Sequence, residues 1–148
     1  MPNFEELFLE SKGKPIEYNG KEVRMMDEFP VKNGDTFTLS MEKYNSEWKQ
    51  GIYLETKGFF LVNKQKIKNT IVLWQDSAPE IVEFELSLKK TESLMVKNVW
   101  DAGDGVMHSW HYGSGIIIED FANGKRYYCN DGHPDDNFDD IVFTLSKK

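Results

Sequence analysis

The sequence predicts an all-β protein: a single antiparallel β-sandwich, jelly-roll-like, of about ten strands with little helix, spanning residues 1–148 as one domain. Short segments rich in β-branched and aromatic residues recur along the chain, and the punctuation between them is Gly, Asn and Asp rather than Pro. No helical periodicity of roughly 10–15 residues separates these segments, which argues for antiparallel pairing and against a βαβ sheet. The 148 residues are 39% hydrophobic and 14% aromatic, enough to fill one core.

At the N-terminus, Asn3 ahead of Phe4-Glu5-Glu6-Leu7-Phe8 suits the cap of one helical turn and suits an edge strand equally well. Ile16-Glu17-Tyr18, Asn19-Gly20 and Lys21-Glu22-Val23 read as a hairpin, because Asn-Gly supplies the positive φ angles of a type I′ turn. Residues 36–41 alternate Phe37, Leu39 and Met41 with polar neighbours, the period of a strand with one wet face. Segments 51–56, 59–62 and 70–74 read the same way. The clearest half-buried strand is 81–88, with Val82, Phe84, Leu86 and Leu88 on one face and Glu83, Glu85 and Ser87 on the other. Segments 94–100, 106–112 and 141–145 complete the set. A second hairpin of the first kind is expected where 116–121 and 125–129 flank Ala122-Asn123-Gly124. Lys57, Lys64, Lys66 and Lys68 around the apolar 59–62 run read as guards of an exposed hairpin edge.

Charge narrows the partners. With 18 basic against 25 acidic residues, a net charge of -7, the chain lacks a general phosphate-binding surface, so nucleic acid is not expected. No apolar run approaches the about 20 residues needed to cross a bilayer, and Glu5, Glu6 and Glu10 stand where a secretory signal would be basic. A cytoplasmic protein without membrane contact is the expectation. Cys129 is the only cysteine, which excludes an internal disulfide and a multi-cysteine zinc site.

The last third holds all three histidines, His108, His111 and His133. Three histidines suffice for catalytic zinc, but residues three apart on a strand point to opposite faces, so His108 and His111 converge only across a loop or bulge. Residues 99–115 mix aromatic plates with small turn residues and polar tips. An aromatic face packs on the C–H groups of a pyranose while carboxylates and imidazoles take its hydroxyls. Trp100, Trp110 and Tyr112 are the expected stacking rings, with Asp101, Asp104 and His111 as polar partners; each Trp also suits the core.

Five carboxylates fall within residues 131–140. Asp135, Asn137 and Asp139 have the alternate spacing that wraps a calcium ion, with Asp131 as a fourth oxygen, although Asp140 and Ser146 stand where an EF-hand loop has Gly and Glu. Asp and Asn side chains satisfying a solvated turn explain the same run. The segment Asp135-Asp136-Asn137-Phe138-Asp139-Asp140-Ile141-Val142-Phe143 resembles the Asp-rich, aromatic-containing signature leading into a terminal strand in β-sandwich domains of cell-surface and carbohydrate-associated proteins. The resemblance covers nine of 148 residues and implies a jelly-roll-like sandwich that binds calcium or sugar through its loops.

Enzymatic signatures are weaker. The aspartates around Cys129 and His133 disfavour a thiolate, nothing selects a glycosidase pair among Glu119, Asp120 and Asp101, and Gly113-Ser114-Gly115 lacks the nucleophile-elbow spacing. The expected function is non-catalytic binding of a saccharide or polyol, with calcium as the candidate cofactor. The alternatives are a metal-dependent hydrolase using the three histidines and a carboxylate, and a protein-interaction module without chemistry.

Overall fold

The computed structural model describes residues 3–110, 113–132 and 137–148. The elements are α1 (Phe4–Glu10), β1 (Ile16–Tyr18), β2 (Lys21–Val23), β3 (Asp27–Val31), β4 (Thr36–Tyr44), β5 (Lys49–Val62), β6 (Gln65–Trp74), β7 (Ile81–Ser87), β8 (Glu92–Asp101), β9 (Gly115–Phe121), β10 (Gly124–Asn130) and β11 (Ile141–Lys147). Strands β1 and β2 form a separate ribbon; the other nine form one antiparallel sheet in the order β3-β8-β5-β7-β4-β11-β10-β9, with β6 on β5. The all-β antiparallel class is the one the sequence predicts.

Segments 51–56 and 59–62, expected as two strands, are one 14-residue strand, β5, with a register shift between Glu55 and Phe59. One edge of β5 carries β6; the other pairs with β8 as far as Thr56 and with β7 from Phe59 onward. A bend at a bulge is how one strand serves two layers. Gly58 allows it, since a Cβ there would lie 2.5 Å from Leu88 Cδ2 and 2.7 Å from the Ser87 carbonyl oxygen. From this spine one flap runs through β8 and β3 and the other through β7, β4, β11, β10 and β9.

The flaps face one another across a core that includes Leu39, Leu54, Phe60, Phe84, Leu94 and Phe143. A Leu or Phe fully removed from water contributes about 1.5–3 kcal/mol, so this core supplies most of the drive to fold. In β7 the alternation is as expected: Val82, Phe84 and Leu86 are buried while Ile81, Glu83 and Glu85 are exposed. Lys64, Lys66 and Lys68 lie on or beside β6, which pairs only with β5 among the described residues, the placement of edge guards.

Polar groups join the flaps where the sheet does not close by strand pairing. Asp27, on β3 and 2% exposed, accepts from Tyr127 Oη at 2.6 Å and Lys125 Nζ at 3.0 Å, both on β10. Asn98 Nδ2 on β8 donates to the Asn130 carbonyl at 2.8 Å. Burial, then the charge of Asp27, pushes the Tyr127 phenol well above its ordinary range, so it stays a donor.

A second apolar layer covers the outer face of β9 and β10. Ile116 belongs to the main core, whereas Ile117 and Tyr128 pack with Phe4, Phe8, Val23 and Phe138. The layer consists of α1 and the β1–β2 ribbon, which is tied to β9 by mutual 2.8 Å bonds between the Arg24 and Ile116 backbones. Asn3 caps α1 by accepting from Glu6 N at 3.2 Å, so the ambiguous N-terminal segment is a helix of seven residues. Among the described residues no helix is long and apolar enough to cross a membrane.

Three local expectations change. Strand β3 was not anticipated, because Pro30 interrupts its pattern; β3 is an edge strand and Pro30 is exposed, the setting that tolerates proline. Segment 106–112 is not a strand in its described part: only His108 pairs, as an isolated bridge to Trp100. Positive φ at Gly103, Gly105 and Trp110 makes it a loop. Asn19 and Gly20 have the positive φ of a type I′ turn, but the β9–β10 turn does not repeat it: Phe121 pairs with Gly124, and neither Asn123 nor Gly124 has positive φ. Gly124 is instead needed for close approach, because a Cβ would sit 2.6 Å from the Leu145 carbonyl oxygen.

Candidate binding site

The end of β8 and the loop after it gather four of the predicted residues. Asp101 Oδ1 accepts from Gly103 N at 2.8 Å and Gly105 N at 3.1 Å, which fixes the first turn. Asp104 accepts from Val106 N at 3.1 Å and stands 3.1 Å from His108 Nε2; His108, followed by that backbone donor, holds its carboxyl below the ordinary carboxylate range. Trp100 is 2% exposed and stacks between Trp48 at 6.4 Å and His108 at 6.4 Å, which makes it a core ring with neither face open to a sugar. Trp110 is 38% exposed, donates from Nε1 to the Met25 carbonyl at 3.1 Å, and adopts φ 62, an uncommon backbone state for a bulky residue. Beside it, Lys97 Nζ lies 4.1 Å from the Trp110 ring centroid and 4.6 Å from that of Tyr53. Burial lowers the Lys97 pKa, against the opposing pull of Glu55. His111 and Tyr112 lie outside the described residues.

The closing loop reaches the same end of the molecule. A Cβ on Gly132 would come 3.0 Å from Trp100 and 3.4 Å from Trp48, so the Asp-rich segment touches the tryptophan stack. Its described aspartates serve the framework. Buried Asp131 accepts from Ser46 Oγ at 2.5 Å and Gln50 Nε2 at 2.9 Å, while its backbone N–H donates to Asp140 Oδ2 at 2.9 Å. Asp139 Oδ2 accepts from Asn45 Nδ2 at 3.2 Å and lies 3.4 Å from Lys43 Nζ. Asn137 is exposed and lines a different cleft. Asp135 and His133 lie outside the described residues, and among those described no group of three His, Cys, Asp or Glu side chains is arranged to hold a metal. Burial, then Asp140, pushes the Cys129 thiol up, which keeps it un-ionised.

The combination of aromatic plates and polar tips expected of a sugar site occurs elsewhere, where the β1–β2 ribbon meets the outer face of β9 and β10. A cleft of about 670 Å³ is lined there by Tyr18, Asn19, Lys21, Ile117, Ile118, Glu119, Tyr128, Asn137 and Phe138. Tyr18 is braced edge-on by Phe4 at 5.0 Å, and Phe4 also meets Phe138 at 5.5 Å. Phe138 adopts φ 52 and its N–H donates to buried Asn130 Oδ1 at 2.6 Å, which fixes the loop that carries Asn137. Tyr128 pairs across the strands with Ile117, and its hydroxyl stands 3.4 Å from Glu119 Oε1, which also accepts from Arg126 Nη1 at 3.3 Å.

Of the predicted site residues that are described, Asn137 alone lines this cleft. Tyr18, Asn19, Glu119 and Tyr128 were not anticipated as a site. One sequence signal pointed toward them: Ile116-Ile117-Ile118 is apolar on both faces of a strand, which requires a second covering layer. Comparison of the chain with known family models, curated proteins and solved structures finds no match in any of the three.

Proposed function

We propose that the protein is a non-catalytic binding module that takes a saccharide or polyol in the cleft between the β1–β2 ribbon and β9–β10. The observation that carries this reading is the pairing of Tyr18 and Tyr128 with Asn19, Asn137 and Glu119 in one cleft of about 670 Å³. That volume falls within the roughly 300–1,000 Å³ usual for small-molecule sites. Tyrosine rings offer apolar faces to sugar C–H groups, and amide and carboxylate tips exchange hydrogen bonds with hydroxyls. Glu119 is the one carboxylate among the described lining residues and is already bound by Arg126, an arrangement suited to orienting hydroxyls rather than to paired-acid glycoside hydrolysis.

Calorimetric titration of the full chain with a panel of neutral mono- and oligosaccharides tests the proposal. Saturable one-to-one binding that Tyr128→Ala abolishes, with near-UV circular dichroism unchanged, supports it. Absence of binding across the panel, or binding that survives Tyr128→Ala undiminished, overturns it. The exposed, left-handed Trp110 favours a secondary contact for the same ligand class, and that part fails if Trp110→Ala leaves affinity for longer oligosaccharides unchanged.

A further inference from the structure

The cleft between the β1–β2 ribbon and β9–β10 carries a cation on the ribbon side, Lys21, and a carboxylate on the strand side, Glu119. Lys21 on β2 is paired across the ribbon with Tyr18 on β1. Directly opposed residues of antiparallel strands project to the same face, which carries the ammonium beside the Tyr18 ring, and both side chains line the cleft. The turn between them, with φ 51 at Asn19 and φ 76 at Gly20, fixes that register.

The two charges differ in what they already hold. Glu119 Oε1 accepts from Arg126 Nη1 at 3.3 Å and stands 3.4 Å from the Tyr128 hydroxyl, and Arg126 also donates from Nε to Glu42 at 3.0 Å. Those contacts tie Glu119 to the sheet. Lys21 is exposed and has no ion-pair partner among the described residues. The carboxylates next to it on the ribbon, Glu17 and Glu22, oppose each other one position along, so alternation turns them to the other face, where Arg24 holds Glu22 at 2.7 Å. The cleft therefore offers an ammonium without a counter-charge at one side and an acceptor for hydroxyls at the other.

A sugar whose own charge is a carboxylate matches that division. Resting on the saccharide reading of this cleft, we propose that its preferred ligand is a uronic acid or a short uronate oligosaccharide, with the sugar carboxylate on Lys21 Nζ and the ring hydroxyls on Glu119, Asn19 and Asn137. The carboxylate supplies the acceptor for a charge-assisted hydrogen bond, which a hydroxyl at the same place makes only in its weaker neutral form. The chain's net charge of -7 acts against a long polyanion. At about 0.1 M salt the Debye length of about 10 Å screens the distant carboxylates, so selection falls to a short ligand in direct contact with Lys21.

The test is calorimetric titration of the full chain with mono- to trisaccharides of galacturonate, glucuronate and mannuronate, each beside its methyl ester, at about 0.1 M salt. The ester keeps every hydroxyl and removes only the charge. The expected result is that an acid binds about twofold to fivefold more tightly than its ester, that Lys21→Met removes the difference, and that Lys21→Arg keeps it. Lys21 is exposed, so both variants keep the fold. Equal affinity for acid and ester, or a difference that survives Lys21→Met, would overturn the uronate assignment and leave the saccharide reading standing. Binding of no acid, no ester and no neutral sugar would overturn both.

Discussion

Removing one oxygen atom from Tyr127 tests how the two flaps are held. In the native fold the Tyr127 hydroxyl donates to Asp27 at 2.6 Å, and Asp27 is 2% exposed, so water cannot replace the lost donor without opening the seam. Tyr127→Phe keeps the ring and its stack on Phe143, at 4.7 Å between centroids and 15° between planes. Only the hydrogen bond is lost. A bond to a buried charged acceptor contributes about 1.5–3 kcal/mol, and Lys125 Nζ at 3.0 Å remains to limit the damage, which places the expected cost near 2 kcal/mol. For a chain of this size that lowers Tm by roughly 4–8 °C. Tyr128→Phe is the control: its hydroxyl is 3.4 Å from an exposed Glu119, so its loss should stay within about 0.5 kcal/mol. Urea denaturation at neutral pH reads both variants, with an unchanged m value confirming a common unfolding transition. A Tyr127→Phe cost no larger than the Tyr128→Phe cost would refute the role given to the seam.

Glycine substitutions separate close approach from backbone conformation. Gly58→Ala places a methyl 2.7 Å from the Ser87 carbonyl oxygen where β5 changes partner and should destabilise by about 1–3 kcal/mol. Gly20→Ala meets nothing within 4 Å, so its loss of about 1–2 kcal/mol comes from φ 76 alone; an unchanged Tm for either variant in thermal melts would contradict this reading. Stability should also fall in alkali. The Cys129 thiol has a folded pKa above its unfolded value, so the native state keeps a proton that the unfolded chain releases; the stabilisation is complete below about pH 8.5 and declines above it by up to about 1.4 kcal/mol per pH unit. Tyr127 adds the same trend above about pH 10. Lys97, whose pKa is lowered, acts in the opposite direction, so the informative quantity is the difference in slope between wild type and Cys129→Ala from pH 8 to 10. Identical slopes would show that the thiol ionises freely in the native state.

Local pattern carried most of the fold. Alternation in 81–88 gave β7 its buried face, and Asn19-Gly20 gave the first turn its type, because both signals act within a few residues. Where long-range packing decides, the pattern was silent or misleading. β3 depends on an edge position that admits Pro30, and the β5 bend depends on Leu88 and Ser87 crowding Gly58, so neither could be read from its own segment. The 106–112 stretch has a strand's composition, but its described part, 106–110, lacks the conformation, since Asp101 draws the backbone N–H groups of Gly103 and Gly105 into a turn. The site divides in the same way. Trp100, Asp101, Asp104 and Trp110 are neighbours because they are close in sequence, and the closing loop does reach Trp100. Tyr18 and Tyr128 are 110 positions apart in sequence and meet only because a ribbon docks on the back of a strand pair. Trp100 shows the limit from the other side: composition identifies an aromatic plate, whereas Trp48 and His108 determine that it has no open face.

The most direct test of the binding account is an NMR titration with a neutral oligosaccharide, following the aromatic ring signals of all six tyrosines and the indole signals of all four tryptophans. The account predicts saturable shifts largest at Tyr18 and Tyr128, with the Asn19 and Asn137 side-chain amides moving in step and Trp100 unmoved. Shifts centred on Trp100 and Trp48 with the two tyrosines still, or no shift at any ring, would contradict it.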